Sequence, residues 1–241
     1  MATPVGEMSM PRINEFGQVI GPDLHGWEPP EFPPPRELEG KSVQLEPLDR
    51  GRHAEALFTA YRHASDSIWT YMTVGPFHSA VALGDLIDTL VAYPDWRPFA
   101  IVVEGTPLGF LSYLRIDPRN GVIEIGSIVF SPPLQRTKPA TEAVYLVLKN
   151  AFDLGYRRCE WKCDDLNEPS RVAAVRLGFR YEGTFRKATH YKARSRDTAW
   201  YSITDDEWPA VDRAFQLWLS DDNFDPDGRQ RQSLRALRGG G

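Results

Sequence analysis

From residue 42 onward, apolar positions alternate between a two-residue and a three-to-four-residue spacing. Ser42-Val43-Gln44-Leu45-Glu46-Pro47-Leu48 alternates, which predicts a first strand. Ala54, Leu57, Phe58 and Tyr61 then recur at helical spacing, predicting a helix through about Arg62 with Asp49 as its cap. Leu83, Leu86, Ile87 and Leu90 predict a second helix from Ser79 to about Val91. Phe99 to Glu104 and Leu108 to Ile116 read as strands joined at Gly105-Thr106-Pro107, and Asp117-Pro118-Arg119-Asn120-Gly121 is a turn signal. An apolar strand, Ile123 to Phe130, follows and runs into Ser131-Pro132-Pro133 and a polar loop, Gln135 to Thr141. A helix with Ala140, Val144, Val147, Leu148 and Ala151 on one face ends at Gly155. A strand from Arg158 to Cys163 then leads through Asp164-Asp165-Leu166-Asn167 into a helix that opens with Pro169 and stops at Gly178. No internal repeat interrupts this order.

Past Phe179, two strands are predicted, Arg180 to Lys187 and Thr198 to Ile203, around a loop at Lys192 to Asp197. A last helix lies between Asp205 and Leu219, burying Val211, Phe215 and Trp218 or Leu219. Thr204 and Glu207 have capping-box spacing, but that start puts Pro209 inside the helix, so a start at Asp206 is expected.

The flanks differ in character. Residues 1–40 hold Pro4, Pro11, Pro22, Pro29, Pro30, Pro33, Pro34 and Pro35, which favour an extended chain. Ile13, Phe16, Val19, Ile20, Leu24, Trp27 and Phe32 give this arm apolar surface to bury, so partial docking is expected rather than a free leader. From about residue 222, through Arg229 to Arg238 and Gly239-Gly240-Gly241, a mobile tail is expected. The division is therefore a Pro-rich arm (1–40), one domain (41–220) and a tail (221–241). The domain is a mixed α/β (α+β) fold with a mostly antiparallel central sheet flanked by helices. The strands ending at Phe130 and Cys163 should form its one parallel pair, because a helix crosses between them.

A chain of 241 residues, 41% of them hydrophobic, can bury a substantial core. Its formal net charge of −5 disfavours non-specific binding to nucleic acid. It contains neither an apolar run long enough to span a membrane nor a secretory signal pattern, so a cytoplasmic protein is expected. Cys159 and Cys163 share one predicted strand, where four steps separate their Cα atoms by about 13 Å, too far for a disulfide. With the five His scattered, no metal site is expected.

The candidate chemistry begins at the loop. A helix N-terminus has unpaired N–H groups and the positive end of the dipole, so it suits an anion such as a pyrophosphate. Arg136 and Lys138 add charge there, and Thr137 and Thr141 add hydroxyls, although such residues also serve as simple caps. Glu124 interrupts an apolar strand, where a lone carboxylate is costly unless paired or functional. It is the candidate general base, the alternatives being an exposed strand end or a partner for an Arg. By strand alternation Ser127 faces away from it. Asn167 is a natural cap for the helix opened by Pro169, and Arg176 is expected to face solvent.

These motifs, in this order, resemble the GNAT acetyltransferases, in their RimJ/RimL-like branch. The family's Gln/Arg-x-x-Gly-x-Gly/Ala loop falls on Gln135-Arg136-Thr137-Lys138-Pro139-Ala140, and its Asn-x-x-Ser with Leu-Gly-Phe falls on Asn167, Ser170 and Leu177-Gly178-Phe179. The likeness runs from roughly Lys41 to Leu219. It departs at Lys138, where the family usually has Gly, and Pro139 removes one backbone donor.

The resemblance implies the GNAT fold and acetyl-CoA as co-substrate. It assigns cofactor binding to Gln135, Arg136, Thr137, Lys138, Pro139, Ala140 and Thr141, and to the backbone of Ile128, Val129 and Phe130, with an oxyanion donor near Ile128 or Val129. Asn167 would bond the pantetheine arm and Ser170 would lie near the sulfur. Trp69 and Tyr71, before Gly75-Pro76-Phe77, would flank the acceptor; read from the residues alone they are equally core aromatics. The implied reaction is direct acetyl transfer to a primary amine of a small molecule or a peptide N-terminus, with a homodimer allowed. The alternatives are another acyl donor, including aminoacyl-tRNA, and a non-catalytic CoA-binding domain.

Overall fold

The computed structural model describes residues 12–239; Pro4, Pro11, Gly240 and Gly241 lie outside the described residues. The strands are β1 (Arg12–Ile13), β2 (Val19–Ile20), β3 (Leu38–Glu39), β4 (Gln44–Pro47), β5 (Arg97–Val103), β6 (Thr106–Asp117), β7 (Val122–Phe130), β8 (Arg158–Asp164), β9 (Arg180–Tyr191) and β10 (Arg194–Thr204). The helices are α1 (Arg50–Tyr61), α2 (Ala80–Ala92), α3 (Lys138–Asp153), α4 (Glu168–Leu177), α5 (Trp208–Leu219) and α6 (Leu234–Leu237). β1 and β2 form a separate small hairpin, and the other eight strands form one sheet in the order β3-β4-β5-β6-β7-β8-β10-β9.

Helices cover the sheet on both faces. Phe99 and Ile101 of β5 join a core with α3, α4 and α5. The residues between and beyond them, Ala100 and Val102, join a second core with α1 and α2. Strand alternation thus sends each set to a different helical layer, which is why this stretch is apolar without a break. Asp49 caps α1 by accepting from the Arg52 N–H, and Ser79 caps α2 by accepting from the Ala82 N–H. At the end of α4, Gly178 has φ +111°, the left-handed position that glycine occupies at low cost.

Three boundaries depart from expectation, each for a local reason. The β5–β6 turn is Glu104-Gly105, both at positive φ, so Thr106 and Pro107 already belong to β6. Lys192-Ala193 is a turn of the same kind, and β9 and β10 pair almost to the tip where a loop was expected. α5 starts at Trp208 rather than Asp206, with Pro209 in its first turn, while Glu207 accepts a bond from the Thr204 N–H.

The flanks are packed in part: Ile13, Phe16, Val19 and Leu24, expected to give the arm surface to bury, stay exposed, while the chain after them docks. Within the arm, the Phe32 ring lies under the Arg97 guanidinium, Arg36 donates to Asn150, and Tyr156 donates to the Glu31 carbonyl. In the C-terminal segment expected to be mobile, α6 rests on α4 and α5, and Leu234 is 1% exposed in the larger core. Asn223 bonds the carbonyls of Trp218 and Gln232, which closes the segment on itself.

β7 and β8 are parallel neighbours, as their crossover helix α3 requires. They pair only from Val122–Arg158 to Glu124–Glu160, and beyond those residues no pairing joins them. That opening positions the site.

Candidate active site

A cavity of about 290 Å³ occupies the gap between the parted strands. Its walls include Glu124 to Ile128 of β7, Trp161 to Asp164 of β8, Asn167 and Ser170 at the start of α4, Tyr71 to Thr73, and Arg196 of β10. A more open depression of about 480 Å³ lies between Arg180, Glu182, Ser202 and Glu207 at the far end of the β9–β10 hairpin, bridged by the Arg180–Glu207 ion pair.

Glu124 is buried on the face of β7 opposite Ile123 and Ile125, which enter the larger core. Its Oε2 takes Lys162 Nζ at 2.8 Å and Arg115 Nε at 3.6 Å. Lys162 Nζ also lies 2.7 Å from Glu160 Oε2 and 3.7 Å from the centre of the Trp200 ring. Oε1 of Glu124 accepts no hydrogen bond among the described residues. It passes so close to Gly126 that a Cβ there would stand 3.3 Å from it. Burial pushes the Glu124 carboxyl above the usual range despite Lys162 and Arg115. Burial pushes Glu160 up as well, but bonds from Lys162 and Arg158 outweigh it and hold that carboxyl below its usual range. The cluster thus separates one settled anion from one carboxyl raised toward neutral pH.

The β7 backbone is irregular where it borders the cavity. Gly126 pairs with Ser112 and Val129 with Phe110, leaving Ser127 and Ile128 opposite one residue of β6. Ser127 has φ +48°, and this bulge breaks the alternation expected to hold it away from Glu124; both line the cavity. Val129 is core, and its carbonyl accepts from Tyr61 Oη at 3.1 Å. The Phe130 carbonyl accepts from Gln135 Nε2.

The loop after β7 leaves successive backbone donors unbonded. Thr137 caps α3 by accepting from the Ala140 N–H and donates to the Leu134 carbonyl. Arg136 sits at φ +61°, and the N–H groups of Arg136, Thr137 and Lys138 make no bond among the described residues. Three free donors in succession around a left-handed residue form a nest for an anion. The exposed Arg136 side chain adds charge beside it. Lys138 does not: its Nζ pairs with Asp221 at 2.9 Å and lies over the Phe224 ring. Arg176, expected at the surface, donates to Thr141 Oγ1 at 3.1 Å and lies over the Trp218 ring, because α5 and the C-terminal segment cover that side of α4. Pro139 occupies the second helical position, and Ala140 and Thr141 are buried.

At the head of α4, Asn167 Oδ1 caps the helix through the Ser170 N–H, and Ser170 Oγ accepts from Trp161 Nε1 at 3.0 Å. Tyr71 lines the cavity and donates to the Leu166 carbonyl. Trp69 does not reach it: the ring is 4% exposed in the second core, edge-on to Tyr61 and Phe77. Its place follows from Gly75, whose backbone packs so tightly on the indole that a Cβ would meet it at 2.7 Å.

Lys162 and Arg196 were not singled out by the sequence, and Asp164, which with Asp165 could orient an acceptor ammonium, reads there first as a turn residue before a helix; all three line the cavity. The signal for Lys162 and Asp164 is the alternation Cys159-Glu160-Trp161-Lys162-Cys163-Asp164, with polar residues at every second place. Arg196 has no such signal, because its place at the cavity depends on the tight Lys192-Ala193 turn and the pairing of β9 with β10. Among the described residues no three His, Cys, Asp or Glu side chains gather to hold a metal.

The model of the acetyltransferase (GNAT) domain matches residues 42–180. The chain is similar to the structure of a GCN5-related N-acetyltransferase from Brucella melitensis, at 42% identity over 89% of this chain and 99% of that one, with a TM-score of 0.87. A probable acetyltransferase (GNAT family) from Chromobacterium violaceum is 43% identical over 78% of this chain and 96% of that one, with a TM-score of 0.75. The ribosomal L7/L12 alpha-N-protein acetyltransferase RimL is 18% identical over 70% and 94% of the two chains, with a TM-score of 0.63, a likeness of fold alone. No curated protein matches the chain in sequence.

Proposed function

We propose that this chain, which belongs to the GNAT acetyltransferase family, transfers an acetyl group from acetyl-CoA to a primary amine in the gap between β7 and β8. We place it in the RimJ/RimL-like branch on Asn167, Ser170 and Leu177-Gly178-Phe179. The observation that carries the reading is Glu124. Its raised carboxyl lines the cavity with Oε1 unbonded, on the strand that runs directly into the anion nest at Arg136 to Lys138.

In this reading the nest and the Arg136 guanidinium hold the pyrophosphate. Asn167 borders the pantetheine path, and the bulge at Ser127-Ile128 leaves a backbone N–H free of the β6 ladder for the developing oxyanion. Bound acetyl-CoA supplies an activated thioester: the C–N bond to the amine forms as the C–S bond breaks, and sulfur leaves with the electron pair. Glu124 Oε1 takes the proton the amine gives up, directly or through a water. Ser170, held by Trp161, donates toward the departing sulfur. Lys162 and Arg115 keep Oε2 occupied, so the free oxygen is the basic one.

Calorimetry with acetyl-CoA, followed by free-thiol release with a panel of primary amines, tests this. Binding and amine-dependent thiol release are expected. An absence of binding would remove the donor assignment; binding without thiol release for any amine would leave a CoA-binding domain that does not catalyse.

A further inference from the structure

Four charged side chains line the cavity: Glu124, Lys162, Asp164 and Arg196. Glu124 and Lys162 pair with each other. The other two have no ion-pair partner among the described residues. Asp164 is buried and accepts only from neutral donors, the Leu166 N–H at 2.9 Å and Tyr191 Oη at 2.7 Å. Arg196 is half-buried and uses a single N–H, from Nε to Thr198 Oγ1 at 3.1 Å. Both stand at the Tyr191 end of the cavity, with the Arg196 guanidinium 5.9 Å from the centre of that ring.

This end is also held in place from outside. The tip of the β9–β10 hairpin reaches across to the chain before Tyr71, where Lys192 Nζ donates to the Trp69 carbonyl and Arg194 to the Thr70 carbonyl. Tyr71, Met72 and Thr73 are thereby fixed as the facing wall. A guanidinium that lines a confined space and keeps N–H groups unbonded among the described residues is a fork for a planar anion. It lies on β10, whereas the anion nest at Arg136 belongs to the loop after β7, so the two are separate positions. One guanidinium matches one carboxylate, and the nearby carboxylate of Asp164 disfavours a phosphate dianion.

We propose that the acceptor is a small primary amine that also carries a carboxylate, of the free amino-acid class, and that Arg196 holds this carboxylate while the amine faces Glu124. Asp164, held by Tyr191 and the Leu166 N–H at the same end as Arg196, is a second anion there and limits that end to a singly charged carboxylate. The proposal rests on the acetyl-transfer reading of the same cavity.

The test compares the wild type with Arg196→Met and Arg196→Lys. The acceptors are the standard free amino acids, the same amino acids as carboxamides, and short peptides. Thiol release gives kcat and KM. Calorimetry gives acetyl-CoA affinity and, with unacetylated coenzyme A present, acceptor binding without turnover. Wild type should favour a free acid over its amide. Arg196→Met should raise KM and weaken binding of the acid by roughly tenfold or more, with kcat and acetyl-CoA affinity little changed. It should leave the amide unaffected, and Arg196→Lys should recover part of the loss. Equal use of acid and amide, a preference for peptides, or an equal loss for both in Arg196→Met would overturn the proposal while leaving acetyl transfer intact. Failure of wild type to bind acetyl-CoA would remove the underlying reading and this proposal with it.

Discussion

Lys162 Nζ lies 2.8 Å from Glu124 Oε2, where β7 and β8 stop pairing, so a buried ammonium fixes one oxygen of a carboxylate that lines the cavity and whose other oxygen accepts no hydrogen bond among the described residues. Glu124→Gln keeps the shape and removes the proposed base. The rate at saturating substrates should fall by roughly 10²–10⁴-fold with acetyl-CoA affinity nearly kept. The acidic limb of the pH–rate profile should disappear. Full activity with an unchanged profile would make Glu124 structural.

Lys162 opposes the burial that raises Glu124, so removing it should raise that carboxyl further. In Lys162→Met the acidic limb of the kcat profile should move to higher pH. The proposed base is active only when ionised, so activity on the acidic side of the profile should fall and return as the pH is raised. A limb that stays in place would show that another group titrates.

The same shifts have opposite consequences for stability. Because the folded protein holds Glu124 protonated where the unfolded chain releases the proton, this residue's contribution falls as pH rises through its raised pKa. Glu160 contributes stability at higher pH that is lost as pH falls through its lowered pKa. Urea midpoints across pH should therefore lose a descending component in Glu124→Gln and an ascending one in Glu160→Gln.

Apolar spacing located α1 to α3, because each buries a regular stripe; α4 was bracketed by Pro169 and Gly178, and the parallel pair followed from the helix that crosses between its strands. Glu124 was legible as a carboxylate in an apolar strand, and Asn167 as a cap. Two kinds of feature were not legible. Bulges such as Ser127 depend on pairing with another strand, so alternation misplaced that side chain. Long-range partners were also hidden: Lys138 is claimed by Asp221 and Arg176 by Trp218, both from chain far downstream. Trp69 shows the limit of reading aromatics, since its place in the core is decided by Tyr61, Phe77 and Gly75 rather than by its immediate neighbours.

The C-terminal segment should contribute to folding. Leu234 is 1% exposed among residues of α4 and α5, so Leu234→Ala should cost about 2–5 kcal/mol and lower the thermal midpoint measurably. An unchanged midpoint would mean that the segment detaches in solution.

The loop makes a prediction that separates two basic residues only two positions apart. Arg136 is exposed beside three free backbone N–H groups, whereas Lys138 is turned onto Asp221 and Phe224. Charge-assisted bonds to a phosphate are worth about 1.5–3 kcal/mol, roughly tenfold or more in affinity. Arg136→Ala should therefore weaken acetyl-CoA binding by at least that factor and slow the chemical step less. Lys138→Ala loses an exposed ion pair with Asp221 and should change affinity only slightly. Replacing Lys138 by Gly would discriminate further, since it restores the residue type usual in the family without touching Arg136. If Lys138→Ala weakens binding as much as Arg136→Ala does, Lys138 leaves Asp221 for the cofactor, and Asp221→Asn should then tighten binding by freeing it. If neither substitution changes the dissociation constant, the pyrophosphate does not sit on this loop.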